Sequence, residues 1–280
     1  MPILTVNDLS KKYEKFELKH VSFELEKGYI MGFIGRNGAG KTTTLKSMMR
    51  LVHPYSGTVT VAGLDFAANE FFCKRKIGFV LGGIDCYPKK KLKVIAAVTK
   101  RFYPEWDDAA YQGYLERFEL DPEKRIDELS AGMRVKFSLA LALSHHAELL
   151  ILDEPTSGLD PVSRDDLLEL FQTLIADGEH SILFSTHITS DLEKCADFIT
   201  YIKDGELLAS GDKNEFIDSY REVKGPSNLL TPKFEAKLIG CRQHKFGFEA
   251  LIKTADLPAP AGIEDHPASL ESVMIHIERE

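Results

Sequence analysis

Residues 29–52 impose the tightest constraint on what this chain can fold into. Tyr29-Ile-Met-Gly-Phe33 reads as a buried strand and runs into Gly35-Arg36-Asn37-Gly38-Ala39-Gly40-Lys41-Thr42-Thr43. Leu45, Met48, Met49 and Val52 then recur at helical spacing. The loop fits G-x-x-x-x-G-K-S/T, and it sits between a strand and a helix as that pattern requires. Glycines let backbone N–H groups curl inward, and the helix N-terminus adds positive potential for phosphates. Lys41 is placed to reach terminal phosphates and Thr42 to hold Mg²⁺. With 20 glycines in 280 residues, a chance match is on the order of one in a hundred. Many unrelated enzymes share this loop, so it marks a nucleotide without naming a reaction.

A second segment completes the chemistry. Leu149-Leu-Ile-Leu-Asp153-Glu154 is four apolar residues followed by two acids. Burial of the strand brings Asp153 out at its carboxyl end, where it can organise Mg²⁺. Glu154 is then placed to orient the attacking water. Alone, such a strand would end in two solvated acids; beside the loop at Lys41, it completes a phosphate site.

The rest of the chain follows an α/β pattern. Ile3–Val6, Val21–Leu25 and Thr58–Val61 alternate as an antiparallel sheet. From about Lys89 to His146 the text is helical, with Val135, Leu139, Ala142 and Leu143 on one face. Asp160-Pro161 supplies an N-cap and an N1 proline, and Ser181–Ser185 and Phe198–Ile202 are further buried strands. The expected fold is an α/β P-loop NTPase core with a parallel sheet, an N-terminal antiparallel β subdomain, a helical insertion at about 85–146 and a small C-terminal α+β extension. Lys224-Gly-Pro-Ser-Asn228 reads as a linker, dividing a nucleotide domain (1–224) from an accessory region (225–280). The latter holds a hairpin within Lys237–Thr254 and a last helix bearing Leu270, Val273, Met274 and Ile277.

Composition removes several classes. No apolar run approaches the ~18 residues of a membrane span, and Met-Pro-Ile-Leu-Thr lacks the features of a secretion signal. Cys73, Cys86, Cys195 and Cys241 are scattered, which suits a reducing compartment. His145-His146, near a helix end, read as capping or solvated residues rather than metal ligands. A net charge of −8 argues against a nucleic-acid partner, and Lys89-Lys-Lys91 with Lys93 reads as a solvated run.

Over roughly residues 1–220 the chain resembles the ATP-binding-cassette ATPases. Leu129-Ser130-Ala131-Gly132-Met133 stands where that family carries L-S-G-G-Q; alone, Ser130 would be simply an N-cap. The resemblance implies that Ser130 and Gly132 bind the γ-phosphate held by the second cassette of a dimer. Ala131 and Met133 depart from the pattern, and Met133 cannot hydrogen-bond as glutamine would. Pro155-Thr-Ser-Gly-Leu-Asp160 is similar to the loop that crosses to the other cassette, and Ser185-Thr-His187 to the segment bearing a histidine that senses the γ-phosphate. Tyr13 matches the aromatic that stacks on adenine. Gly82 stands where relatives place a glutamine that touches Mg²⁺ and links to the transport subunit, leaving Asp85 as a candidate substitute.

What the resemblance implies is MgATP sandwiched between two head-to-tail cassettes, identical or not, with hydrolysis driving a polytopic membrane permease. The protein would lie in the cytoplasm, on the inner face of the membrane. Arg101-Phe-Tyr-Pro-Glu-Trp106 lies where relatives dock that permease, with Phe102, Tyr103 and Trp106 as contacts. The texture of Leu129–His145 and Phe184–Asp212 is similar to bacterial exporters that confer resistance to peptide antibiotics. The alternative is a soluble cassette ATPase acting as a remodelling or nucleotide-gated regulatory module. The remodelling relatives usually fuse two cassettes or insert long coiled coils, and this chain has neither.

Overall fold

The computed structural model describes residues 1–81 and 87–280. The chain divides into two compact units, Met1–Ser210 and Gly211–Glu280. The division falls before Lys224–Asn228, whose first two residues end a strand rather than forming a linker.

The first unit opens with β1 (Pro2–Lys12), β2 (Glu17–Glu26), β3 (Ile30–Ile34), α1 (Lys41–Met48), β4 (Ser56–Val61), β5 (Leu64–Asp65), α2 (Glu70–Arg75) and β6 (Ile77–Leu81). The helical insertion follows as α3 (Leu92–Thr99), α4 (Asp108–Arg117) and α5 (Ala131–Leu143). The chain then returns to the sheet through β7 (Leu149–Asp153), α6 (Pro161–Ile175), β8 (Ser181–Thr186), α7 (Thr189–Cys195), β9 (Phe198–Lys203) and β10 (Glu206–Asp212). Two sheets result. One runs β2-β1-β4-β5, with antiparallel pairing throughout; the other runs β10-β9-β3-β8-β7-β6, with β9, β3, β8, β7 and β6 parallel.

Every residue of β3, β7 and β8 is buried, as a parallel strand covered on both faces should be. Met31, Phe33, Leu149, Ile151 and Leu183, on one face of these strands, share a core with Val6, Leu25, Leu45, Met48 and Met49. Helix α1 stops earlier than its apolar spacing predicts. Met49 is its C-cap and Arg50 turns left-handed at φ 52°, so Val52 lies beyond the helix. Both expected caps form: Ser130 Oγ accepts from Met133 N, and Asp160 Oδ1 accepts from Val162 N and Ser163 N.

The second unit holds α8 (Lys213–Asp218), β11 (Tyr220–Gly225), α9 (Pro232–Glu235), β12 (Leu238–His244), β13 (Gly247–Lys253), β14 (Glu264–Pro267) and α10 (Leu270–Ile277). Its sheet runs β12-β13-β11-β14. Val223, Phe248, Ala250 and Ile252 line one face and pack with Phe234 and Leu238.

His145 corrects the expectation of a capping or solvated histidine. It is buried, its ring lies 3.7 Å from the Tyr103 ring at an interplanar angle of 10°, and Nδ1 donates to the Arg75 carbonyl. Burial disfavours the imidazolium and pushes the pKa down to about 4. Between pH 6.5 and 4 the unfolded chain therefore binds a proton that the folded chain refuses. The stabilisation is complete above pH 6.5 and is lost as pH falls, by about 3 kcal/mol at pH 4. Thermal melts of the parent should thus fall steeply from pH 7 to 5. His145→Phe, which keeps the stack and removes the proton site, should melt with a flatter pH dependence. An unchanged slope in that variant would assign the acid sensitivity to other groups.

Candidate functional site

The site is built where β3, β7 and β8 end together. Parallel pairing sets Ile34 opposite Thr186 and Asp153 opposite Ser185. The next residues on each strand are therefore neighbours: Gly35 opens the phosphate loop, Glu154 follows Asp153, and His187 follows Thr186.

Gly40 is the N-cap of α1 at φ 117°, a region that side chains rarely adopt, and a Cβ there would meet the Phe16 ring at 2.9 Å. No side chain caps α1, which leaves its first amides for an anion. Lys41 is buried, with Nζ donating to Gly35 O (2.7 Å) and Arg36 O (3.3 Å). The same ammonium lies 3.1 Å from Glu154 Oε1. The other Glu154 oxygen, Oε2, lies 2.9 Å from His187 Nδ1. One carboxylate thus bridges the phosphate-loop lysine and the histidine of the next strand.

Asp153 is buried and accepts from two hydroxyls, Thr42 Oγ1 (2.8 Å) and Ser185 Oγ (2.6 Å). Glu154 sits at φ 50°, a conformation costing about 1–2 kcal/mol for an L-residue. Its N–H holds it there, donating to Ser185 Oγ (3.0 Å) and to Ser185 O (3.1 Å).

An open cleft of about 390 Å³ leads onto this cluster, lined by Tyr13, Phe16, Arg36, Asn37, Gly38, Gly40, Lys41, Thr42, Thr43 and Glu154. Tyr13 and Phe16 close a tight turn, with Tyr13 N donating to Phe16 O at 2.8 Å. Gly35, Ala39, Asp153 and His187 are not among the lining residues. Ser130, Gly132 and Asp160 are also not among the residues lining the cleft. A Cβ on Gly132 would lie 3.7 Å from Leu159 and Ser163, so the start of α5 sits beside the loop that follows Glu154. Gly82 and Asp85 fall outside the described residues. Two residues with positions in the site carry no motif of their own. Phe16 could have been noticed as a second aromatic three places after Tyr13. Ser185 announces itself only through the parallel register.

The family model described as ABC transporter matches residues 18–157. The chain belongs to the ABC transporter family. It is 31% identical over 223 residues to the ABC transporter ATP-binding protein YtrB of Bacillus subtilis (strain 168), covering 79% of this chain and 76% of that one. It is 34% identical over 209 residues to the bacitracin transport ATP-binding protein BcrA of Bacillus licheniformis, covering 74% and 68%. A solved structure of the ATP-binding subunit of an ABC transporter superposes with a TM-score of 0.68 at 28% identity, covering 76% of this chain and 91% of that one. The protein is therefore an ATP-binding and ATP-hydrolysing subunit of a membrane ABC transporter. Among the described residues, no helix is long and apolar enough to cross a membrane.

Two rings rather than one wall the cleft of this ABC ATPase, which sets the expected cost of losing either. Stacking on a base is worth about 1–3 kcal/mol, or about 5- to 150-fold in affinity. Tyr13→Ala should weaken ATP binding near the lower end of that range, because Phe16 remains. Tyr13→Phe should bind as the parent does. Loss of both rings should exceed the loss of Tyr13 alone, as read by titration with a fluorescent ATP analogue.

Proposed function

We propose that this subunit hydrolyses MgATP through Glu154, and that the bridge from Lys41 through Glu154 to His187 is the observation that carries the reading. In ATP hydrolysis a water oxygen bonds to the γ-phosphorus, the bond to the β-bridging oxygen breaks, and ADP and inorganic phosphate leave. Glu154 is positioned to accept a hydrogen bond from that water. Lys41 exchanges its carboxylate and carbonyl partners for phosphate oxygens, and His187 hydrogen-bonds the γ-phosphate once Glu154 turns to the water. The Thr42 hydroxyl and the Asp153 carboxylate are hard oxygen donors within 2.8 Å of each other, the kind of set that holds Mg²⁺ beside phosphates. When bound, Mg²⁺ neutralises charge on the phosphate oxygens.

Ser130, Gly132 and Asp160 lie outside the cleft, which supports a role toward the nucleotide of a second, head-to-tail cassette. Ser130 Oγ stands at the N-terminus of α5, a helix end suited to a phosphate. The loop carrying Asp160 lies alongside it.

A permease surface is supported by a second groove, about 430 Å³, lined by Phe71, Lys74, Arg75, Val98, Thr99, Phe102 and Tyr103. Phe71, Phe72 and Phe102 are all more than half exposed, an unusual concentration of aromatic surface. Phe102 and Tyr103, two of the residues expected to meet the permease, line this groove. Trp106 does not line the groove: its ring packs on Tyr111, and Nε1 donates to Asp108 Oδ1 at 2.9 Å. We assign the protein to the inner face of the cell membrane, bound to a polytopic permease. The likeness to BcrA supports export of a peptide antibiotic or similar amphipathic cargo.

Glu154→Gln should retain ATP affinity, lower turnover by more than about tenfold, and accumulate an ATP-bound dimer on size exclusion. Near-parental turnover would remove Glu154 from the chemistry. Phe102→Asp and Phe71→Asp should reduce co-purification with the membrane partner and leave nucleotide affinity intact. Deleting the reading frame in its host should increase sensitivity to bacitracin-like peptides; unchanged sensitivity to every such peptide would redirect the search for cargo.

A further inference from the structure

Helix α7 begins two residues after His187 and carries a carboxylate that the hydrolytic chemistry does not use. Asp191 is wholly buried, with no accessible surface. Its Oδ2 accepts from Thr156 Oγ1 at 2.6 Å, and its Oδ1 is paired with Arg164 Nε. Arg164 Nη2 also donates to Ser190 Oγ at 2.7 Å. Thr156 is itself buried and stands two residues after Glu154. Arg164 stands four residues after Asp160, in the first turn of α6.

We propose that Asp191 is a positioning residue for ATP hydrolysis, tying the loop after Glu154, the start of α6 and helix α7 into one frame. Three segments that carry Glu154, Asp160 and His187 are joined by the two oxygens of this one carboxylate. Each bond suits the task. The Thr156 hydroxyl fixes the chain just beyond a left-handed residue that would otherwise relax. The Arg164 guanidinium supplies a countercharge directly beside the buried carboxylate. The donors come from residues 27 and 35 positions away, so the bonds define how separate segments lie rather than how one helix coils. A displacement of Glu154 on the order of 1 Å costs up to about a hundredfold in rate while the phosphate loop that binds the nucleotide stays in place.

The inference rests on reading Glu154 as the catalytic carboxylate, so Glu154→Gln is measured beside the new variants. Thr156→Val removes one bond and leaves the Asp191–Arg164 pair; Asp191→Asn removes the charge and keeps the shape; Thr156→Ser restores the hydroxyl. On the full chain, Thr156→Val and Asp191→Asn should lower kcat about ten- to a hundredfold. KM for ATP should stay near the parent's, and each variant should remain folded at the assay temperature although its thermal midpoint falls by a few degrees. Thr156→Ser should recover the parental rate. The double variant should be no slower than its slower single, since both act through one network. A folded Thr156→Val with parental kcat would overturn the proposal, as would a loss of rate that simply follows a loss of thermal stability. Should Asp191→Asn fail to fold, the contrast between Thr156→Val and Thr156→Ser decides. Full turnover in Glu154→Gln would remove the catalytic reading itself. An inactive Glu154→Gln beside a fully active Thr156→Val would remove only the role of Asp191.

Discussion

The parallel ladder joining β3, β8 and β7 is the constraint from which the site follows. Because Ile34 pairs with Thr186 and Asp153 with Ser185, three strand ends arrive at one level. Each hands its next residue to the same small volume. A register slip of one residue on β7 would turn Asp153 to the opposite face of the sheet and move Glu154 away from both Lys41 and His187. Close packing of differently shaped side chains on both faces resists that slip, since every residue of the three strands is buried. Packing thus holds the register, and the register brings Glu154 within 3.1 Å of Lys41 and 2.9 Å of His187.

That ladder also supports a residue in an unfavourable conformation. Glu154 at φ 50° is held by two hydrogen bonds from its own amide to Ser185. Ser185 in turn donates to Asp153. A single serine therefore satisfies the buried carboxylate and pins the strained residue beside it. Strain of this kind persists where the surroundings over-determine it, and the benefit is aim: the carboxylate projects back across the strand ends toward Lys41 instead of continuing along β7.

Much of the fold was legible because fully buried strands appear as unbroken apolar runs and an amphipathic helix as a 3.6-residue stripe. The run from Leu149 to Leu152 and the cap at Asp160-Pro161 declared themselves in this way. Strand order did not, because the sheet places β3 between β9 and β8, some 150 residues later in the chain. Nor did the Thr156–Asp191 bond or the service of Ser185 to Asp153. Each joins residues more than thirty positions apart, with no spacing rule connecting them. His145 departs from its expected role for a related reason: a histidine just past a helix end is usually solvated, and here the Tyr103 ring and the Arg75 carbonyl, both distant in the chain, close over it. Val52 belonged to the helical stripe by period, but Arg50 had already left helical φ/ψ. Pattern ranks the elements, and backbone geometry decides where they end.

The C-terminal unit shows the limit of arguing from length. Seventy residues offer little volume for a core, and domains of this size bury a modest share of their surface. This unit spends its apolar residues on both sides of one sheet. Val223, Phe248, Ala250 and Ile252 face Phe234 and Leu238 on one side. On the other, α10 approaches β12 so closely that a Cβ on Gly240 would lie 2.2 Å from the His276 carbonyl. His276 Nδ1 donates to Gly240 O at 2.8 Å, so that contact point serves as a hydrogen bond as well as a packing site. A two-sided sheet lets each strand residue, whichever way it points, contribute to burial. A short extension can then bury an apolar core of its own on both faces of a single sheet.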